Sequence, residues 1–549
     1  MPDQLDRRRF LGASALTGVS AALLGAGTSG NESEEQSTGD GEDQSAESAT
    51  RVIIGGVSLP ASLDPGLAVD TETERICRQI FETLVGVDPD TGAASPLLAE
   101  EWEISDDELT YTFQLREGVT FHDGSTLTAE TVVANFRRWG QLDYLYGFGN
   151  ISRTTALAFP TVFGGYMDQD GCVLESVEAE DERTVVLTLS EPVVFLLQAL
   201  TLPAFGIAAS AALSDSDPGR LTRTPLGTGA YQLVSQEGGE TRLQIFADYW
   251  NDATGTEEVV VRALPRSFDR LRELQRGRLD VYDCITADNL RPLVQAGRLI
   301  LQRDPFSVLY LGFNLGHPVM SDPDVRQAAA HAVNRTPLVQ NLFLEGSRPA
   351  FQFTPPALGV HSDSADRHGF DRAQARELLA ESGYDGEPLV FYYPMATTRS
   401  YLPRPEAVFA ALAADLTSVG FVIKPKPVVW DEGYVDQLLA DDDRAMHLLG
   451  RNGGFRSPHS FFGPLFGQSG REFNYDTEEV RELLDQARAE PDEDQRADIY
   501  REVADLVAED LPALPLAYPI SALALGNRVA DYPMSPVLNE RFTDIVLAP

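Results

Sequence analysis

The sequence predicts a mixed α/β protein with more than one domain, and three observations carry this. The chain has 549 residues, more than one ordinary core accommodates. Apolar residues alternate with polar ones at Tyr111, Phe113 and Leu115, and apolar residues again take alternate places at Val185, Leu187 and Leu189, the period of half-buried strands. Helical spacing places Ile76, Ile80, Phe81 and Leu84 on one face, and Ile499, Val503, Leu506 and Val507 on another.

The first 27 residues read as an address. Arg7-Arg8-Arg9-Phe10-Leu11 is a twin-arginine pattern, and the apolar run from Phe10 to Leu24 is too short for a typical membrane span. Residues 28–50 hold seven acids, no base and no large apolar side chain, so a disordered acidic linker is expected. The folded body opens with a strand at Arg51–Gly56 and a turn at Leu63-Asp64-Pro65. From Arg75 to Phe136 a short helix, a turn through Pro89 and Gly92, the Tyr111–Leu115 strand and a turn at Asp123-Gly124 follow, with Thr128 and Glu130 leading into another helix. Tyr144, Tyr146 and Phe148 stand among glycines. A loop lining a cleft and ordinary core aromatics fit that pattern about equally.

Pro225-Leu226-Gly227-Thr228-Gly229-Ala230-Tyr231 is not a phosphate loop, since no GxxxxGK is present; its glycines are expected to serve a tight turn. Val259–Arg262 reads as a strand. Leu309–Asn314 and the segments Asp324–Ala329 and Ala332–Arg335 read as strand, turn and helix. Asp371 to Gly383 is a helix with an acid at its start and a glycine at its stop, and a longer helix runs from Asp492 to Asp510.

Acids outnumber bases 84 to 43, a formal charge of −41, and only Lys424 and Lys426 are lysines. That surplus argues against nucleic acid or an anionic membrane surface as partner and fits a soluble protein of a salt-loving source. The three cysteines, Cys77, Cys172 and Cys284, form no CxxC, and free thiols are expected, with a Cys77–Cys172 bridge as the alternative. No GxSxG, HExxH or GxGxxG in context is present, and the spacing of His361 and His368 around Asp363 and Asp366 matches no zinc site. No enzyme activity, catalytic residue, metal or cofactor is therefore expected.

Several short motifs carry a resemblance. Glu82-Thr83-Leu84, Pro96-Leu97-Leu98-Ala99-Glu100 with Trp102, Thr112-Phe113 with Leu115-Arg116, and Phe121-His122-Asp123-Gly124 occur in order, followed by the Pro225–Tyr231 box and the Asp324–Arg335 pair. From about Arg51 to the C-terminus the chain resembles the extracytoplasmic solute-binding proteins of ABC importers, family 5, the branch that binds peptides, nickel complexes and some sugars. The resemblance implies a two-lobed periplasmic-binding-protein-like fold (class II, large cluster C type), with the ligand in a cleft between the lobes. It places lobe I at 51–264 plus 516–549 and lobe II at 265–515. It implies a monomer that closes on a small peptide-like solute and engages ABC permease subunits in the membrane, with no nucleic acid partner. A nickel-complex, oligosaccharide or sensory binding protein is the alternative. Leu145, Pro203 and Gly470 fall near the places where nickel-binding relatives carry Arg and His, which ranks nickel lower.

The same resemblance points to site residues. Tyr392–Pro403 is similar to the segment in which an Arg grips a peptide carboxylate, and Arg399 falls on that position, with Tyr401 beside it. Arg451, Asn452, Phe455, Arg456, Ser457 and His459 lie in the segment that carries the acceptor for a peptide ammonium, with Tyr144, Tyr146 and Phe148 as further candidates for the cleft wall. Ser457 stands where that Asp is expected, so an N-blocked, anionic or neutral solute is the expectation. Related proteins place a lipidated Cys after the leader. Here Leu23-Leu24-Gly25-Ala26-Gly27 holds none, and release after cleavage and retention through an uncleaved signal both stay open.

Overall fold

The computed structural model describes residues 50–89, 91–146, 157–253, 256–468, 470–535 and 539–549. The leader, nearly all of the acidic linker and Phe148 lie outside the described residues.

Three larger sheets organise the body. The first has seven strands, in the order Ile300–Arg303, Ser521–Leu525, Val281–Tyr282, Arg51–Gly56, Glu258–Ala263, Glu240–Ile245 and Tyr231–Glu237. Arg51–Gly56 pairs in parallel with both Glu258–Ala263 and Val281–Tyr282. The second has six, in the order Arg348–Pro349, Ala513–Tyr518, Ser307–Phe313, Arg444–Asn452, Leu389–Met395 and Ile423–Val429. A third, all antiparallel, joins Ala99–Ile104, Thr110–Leu115, Thr184–Leu189 and Leu174–Ala179.

Each sheet has its own core. The inward face of Thr110–Leu115 buries Tyr111, Phe113 and Leu115 against the helix Ala129–Trp139, which Thr128 caps by accepting the Thr131 amide. Ser307–Phe313 is buried along its whole length, as suits a central strand covered on both faces. The helices Arg372–Glu381 and Glu493–Asp510 start where their Asp caps were expected, at Asp371 and Asp492.

The lobe boundary differs from expectation. Val281–Tyr282 and Ile300–Arg303 both belong to the first sheet, pairing with Ser521–Leu525, and the helix Ser267–Gln275 packs Leu271 and Leu274 under Leu279 and Tyr282. The chain thus completes a strand–helix–strand unit on lobe I after 264 and crosses only between Arg303 and Ser307. It returns between Tyr518 and Ser521, slightly later than 515.

The glycines of the Pro225–Tyr231 box serve close approach instead of a turn. A Cβ on Gly227 would lie 2.0 Å from the Ile80 carbonyl oxygen, and one on Gly229 2.4 Å from that of Gln79. His122 reaches the same seat, its ring 2.8 Å from the Gly229 carbonyl oxygen. Glu82 accepts hydrogen bonds from Thr228, Tyr249 and Trp250 at 2.7–2.9 Å. All three cysteines are free thiols, with Cys77 and Cys284 buried.

Candidate functional site

The parallel strands of both lobes aim their carboxyl ends at one seam, where open α/β sheets place their ligands. Arg51–Gly56, Glu258–Ala263 and Val281–Tyr282 end there from lobe I, and Leu389–Met395 and Arg444–Asn452 from lobe II. Contacts across it follow from these ends. Thr398 donates its hydroxyl to the Pro265 carbonyl at 3.2 Å, and Arg404 lies 3.1 Å from Asp288. Ser400 donates to Asn452 Oδ1 at 2.9 Å, and Asn452 Nδ2 donates to the Thr71 hydroxyl of lobe I, also at 2.9 Å.

Arg399 sits beside that relay. It is 5 % exposed, its guanidinium stacks 3.8 Å over the Trp430 ring, and its Nε and Nη2 have no hydrogen-bond partner among the described residues. A buried guanidinium keeps its charge, so unmet donors there are costly unless an anion completes them. Tyr401 packs against Gly450, and burial raises its hydroxyl to about 12 despite the nearby Arg399.

Facing Arg399 is the start of the helix Thr71–Ile80, capped by Asp70. Glu72 is 1 % exposed and accepts the Val57 amide through Oε1, while its Oε2 has no hydrogen-bond partner among the described residues. Burial raises its pKa, opposed by Arg75 and, more weakly, by Arg399. Behind it runs an ion chain of buried side chains: Arg75 pairs with Asp283, Asp283 with Arg303 Nη1 at 2.6 Å, and Arg303 with Glu540. Burial alone would raise Asp283, but Arg303 and Arg75 outweigh it and hold its carboxyl well below the usual carboxylate range.

The other predicted residues divide. Arg451 donates Nε to the Ser460 carbonyl at 2.8 Å and is one of the cations near Glu74, which burial raises to about 7. Ser457 is turned to local use: its hydroxyl accepts the His459 amide at 3.2 Å, at the start of the helix His459–Phe466. Phe455 and His459 stack on Phe195 of lobe I, at 5.3 and 4.6 Å between ring centres, making an apolar seam between the lobes. Arg456 is exposed and reaches the Thr91 carbonyl at 3.4 Å. Tyr144 and Tyr146 are helical, not part of a loop. They lie on the helix Leu142–Tyr146, with Tyr144 83 % exposed and the Tyr146 hydroxyl donating to Asp64 at 2.9 Å. Asp64 itself is buried in an ion pair with Arg138. Thr71, Glu72 and Trp430 were missed by the sequence reading; the Asp70-Thr71-Glu72 helix start was the available signal for the first two.

His459 makes a testable acid limb. Burial, reinforced by Arg488, lowers its pKa to about 3, so the fold holds a neutral imidazole. The unfolded chain binds a proton near pH 6.5 that the fold refuses, so the stability His459 contributes is full above about 6.5. It is lost as pH falls towards about 3. Wild type is expected to lose up to about 1.4 kcal/mol per pH unit across that window from this group. His459→Phe, which keeps the stack, should flatten that slope in urea titrations at pH 7, 5.5 and 4. An unchanged slope would remove His459 from the acid limb.

Two lobes joined by two crossings, with an unpaired buried cation at the seam, define a solute-binding protein. The chain belongs to the bacterial extracellular solute-binding proteins, family 5, whose model matches residues 93–473. It is 26% identical over 546 residues to heme-binding protein A of Haemophilus influenzae, covering 95% of this chain and 97% of that one. It is 25% identical over 508 residues to the dipeptide-binding protein of Escherichia coli, covering 88% and 91%. A dipeptide-binding protein from Pseudoalteromonas, solved with Met-Leu, superposes with a TM-score of 0.83 at 22% identity over 91% of this chain and 100% of that one.

Proposed function

We propose that this protein is the substrate-binding component of an ABC importer, capturing a carboxylate-bearing, peptide-like solute outside the membrane and delivering it to the permease. The observation that carries the solute class is Arg399, a buried guanidinium with two unpartnered nitrogens at the seam between lobes. A carboxylate supplies the planar pair of acceptors that this fork lacks. Relatives named for dipeptides, di/tripeptides and peptide transport support the reading. The twin-arginine pattern at Arg7–Arg9 supports export, and the acidic surplus supports work in concentrated salt. The work is capture and release with no bond chemistry, and lobe closure around the solute presents the complex to the permease.

A thermal-shift screen in molar salt tests this with di- and tripeptides, their C-terminal amides, nickel with and without histidine, and oligosaccharides. A ligand at one hundred times its Kd adds about 2.7 kcal/mol, a rise of a few degrees. Shifts with free carboxylates that vanish with the amides are expected. A shift with nickel or sugar alone overturns the solute class.

A further inference from the structure

We propose that Glu72 is a second subsite of the cleft: its free Oε2 accepts a cationic donor of the bound solute while Arg399 holds the solute's carboxylate. This rests on the carboxylate reading of Arg399 and adds what stands opposite it.

Two buried groups of opposite charge are incomplete at the same seam. Arg399 lacks partners on Nε and Nη2, and Glu72 lacks one on Oε2, where Arg75 Nη1 stands 3.5 Å away and is itself without a hydrogen-bond partner. The Thr71–Asn452–Ser400 relay brings them together, because Glu72 follows Thr71 and Arg399 precedes Ser400. Buried charged groups of opposite sign that do not bond each other can each take a bond from a molecule held between the lobes.

Charge accounting sharpens the chemistry. Glu72, Asp283 and Glu540 are three buried anions beside the buried cations Arg75, Arg303 and Arg399, and the buried Arg270 bonds the carbonyls of Asp283 and Cys284. A solute carboxylate alone adds one negative charge to this buried set and leaves Glu72 Oε2 without a hydrogen-bond donor. A solute that also carries an ammonium adds no net charge, and Glu72 is the member with an oxygen to receive it. An N-blocked anion has one other route, which is protonation of Glu72. The groups facing Glu72 are Arg75 on its own helix, Asp283 after Val281–Tyr282, the Val57 amide after Arg51–Gly56, and Arg399 from lobe II. Their balance with burial raises its pKa above the ordinary carboxylate value. The acceptor missing at Ser457 is thus supplied from the opposite lobe, which reverses the expectation that a free amine is disfavoured.

Isothermal titration at pH 6.5, where the dipeptide amine is already an ammonium, tests this with L-alanyl-L-alanine and its N-acetyl form, in two buffers of different ionisation enthalpy. Wild type is expected to bind the free dipeptide at least about tenfold tighter, the discrimination of one charge-assisted hydrogen bond. The free dipeptide should bind without net proton uptake, and the acetylated one with uptake approaching one proton. Glu72→Gln should bring the two affinities within about twofold of each other by loss of affinity for the free dipeptide. If that variant does not fold, the wild-type ratio and proton count decide alone. Equal affinities without proton uptake, or a preference that survives Glu72→Gln, overturn the Glu72 subsite and leave the Arg399 anchor standing. Binding of neither peptide overturns the carboxylate reading and this subsite with it.

Discussion

Arg399→Ala is expected to raise the Kd for a carboxylate-bearing peptide by about a hundredfold or more while leaving the fold nearly as stable. The two effects separate because of what Arg399 touches. In the empty cleft its guanidinium has the Trp430 face and the charge of Glu72, but Nε and Nη2 meet no acceptor. Truncation therefore removes a cation–π contact of about 1–2 kcal/mol and, with it, the cost of two unmet donors, which is of similar size. Unfolding free energies of variant and wild type should agree within about 1 kcal/mol. With ligand bound, the same side chain makes charge-assisted bonds in a dry site, and losing them costs about 2–5 kcal/mol. Arg399→Lys keeps the charge but presents a point where the carboxylate needs a fork, so it should fall between the two. Titration calorimetry and urea unfolding on the same samples give both numbers. Full affinity in Arg399→Ala would move the anchor elsewhere.

Arg399 could be proposed from the sequence because the resemblance reached it through a continuous segment, Tyr392–Pro403, at the end of one strand. The family motifs were legible for a related reason. Several mark places where backbone or side chains meet without slack, as Gly227 and Gly229 do against the Ile80 and Gln79 carbonyls, or Glu82 among three donors. Such positions restrict residue type sharply, so they leave a pattern. Elements whose reason lies far away in the chain leave none. Val281–Tyr282 has two residues and Ile300–Arg303 four, too few to show a period, and their partner strand lies at Ser521–Leu525. That is why the crossing was expected near 264. The aromatics at Tyr144 and Tyr146 left two readings open from the sequence, because the Asp64 bond that holds Tyr146 spans 82 residues.

The ion chain behind Glu72 is the extreme case, and it carries the second large effect. Arg75 and Asp283 are 208 residues apart, Arg303 and Glu540 237, in a chain where 84 acids compete for 43 bases, so no local pattern announces the pairs. Asp283→Asn is expected to destabilise the protein by about 3–5 kcal/mol, the cost of breaking a buried pair from one side. Asp283 accepts Arg75 on Oδ2, and on Oδ1 it accepts Arg303 and the amide of Cys284, a residue held at φ +55°. An Asn can keep its oxygen towards Arg303 and Cys284, but its amide nitrogen then points donors at the Arg75 guanidinium. Two buried cations are left with one fewer anion between them. The pH dependence tells this from a simple packing loss. Asp283 is depressed in the fold, so its stabilisation is fully present above the unfolded carboxyl value of about 3.9 and is lost progressively as pH falls from there to the depressed value. The gap between variant and wild type should therefore be constant from pH 7 to about 5 and narrow below about 4 in urea unfolding. A gap of the same size at pH 3 would assign the loss to packing, and a gap under about 1 kcal/mol at pH 7 would show that the chain is not held by this pair. Freed of Asp283, Arg75 has only Glu72 to face. The variant should then also weaken the preference for the free over the acetylated dipeptide, because the oxygen proposed to receive the ammonium would be drawn to Arg75 instead.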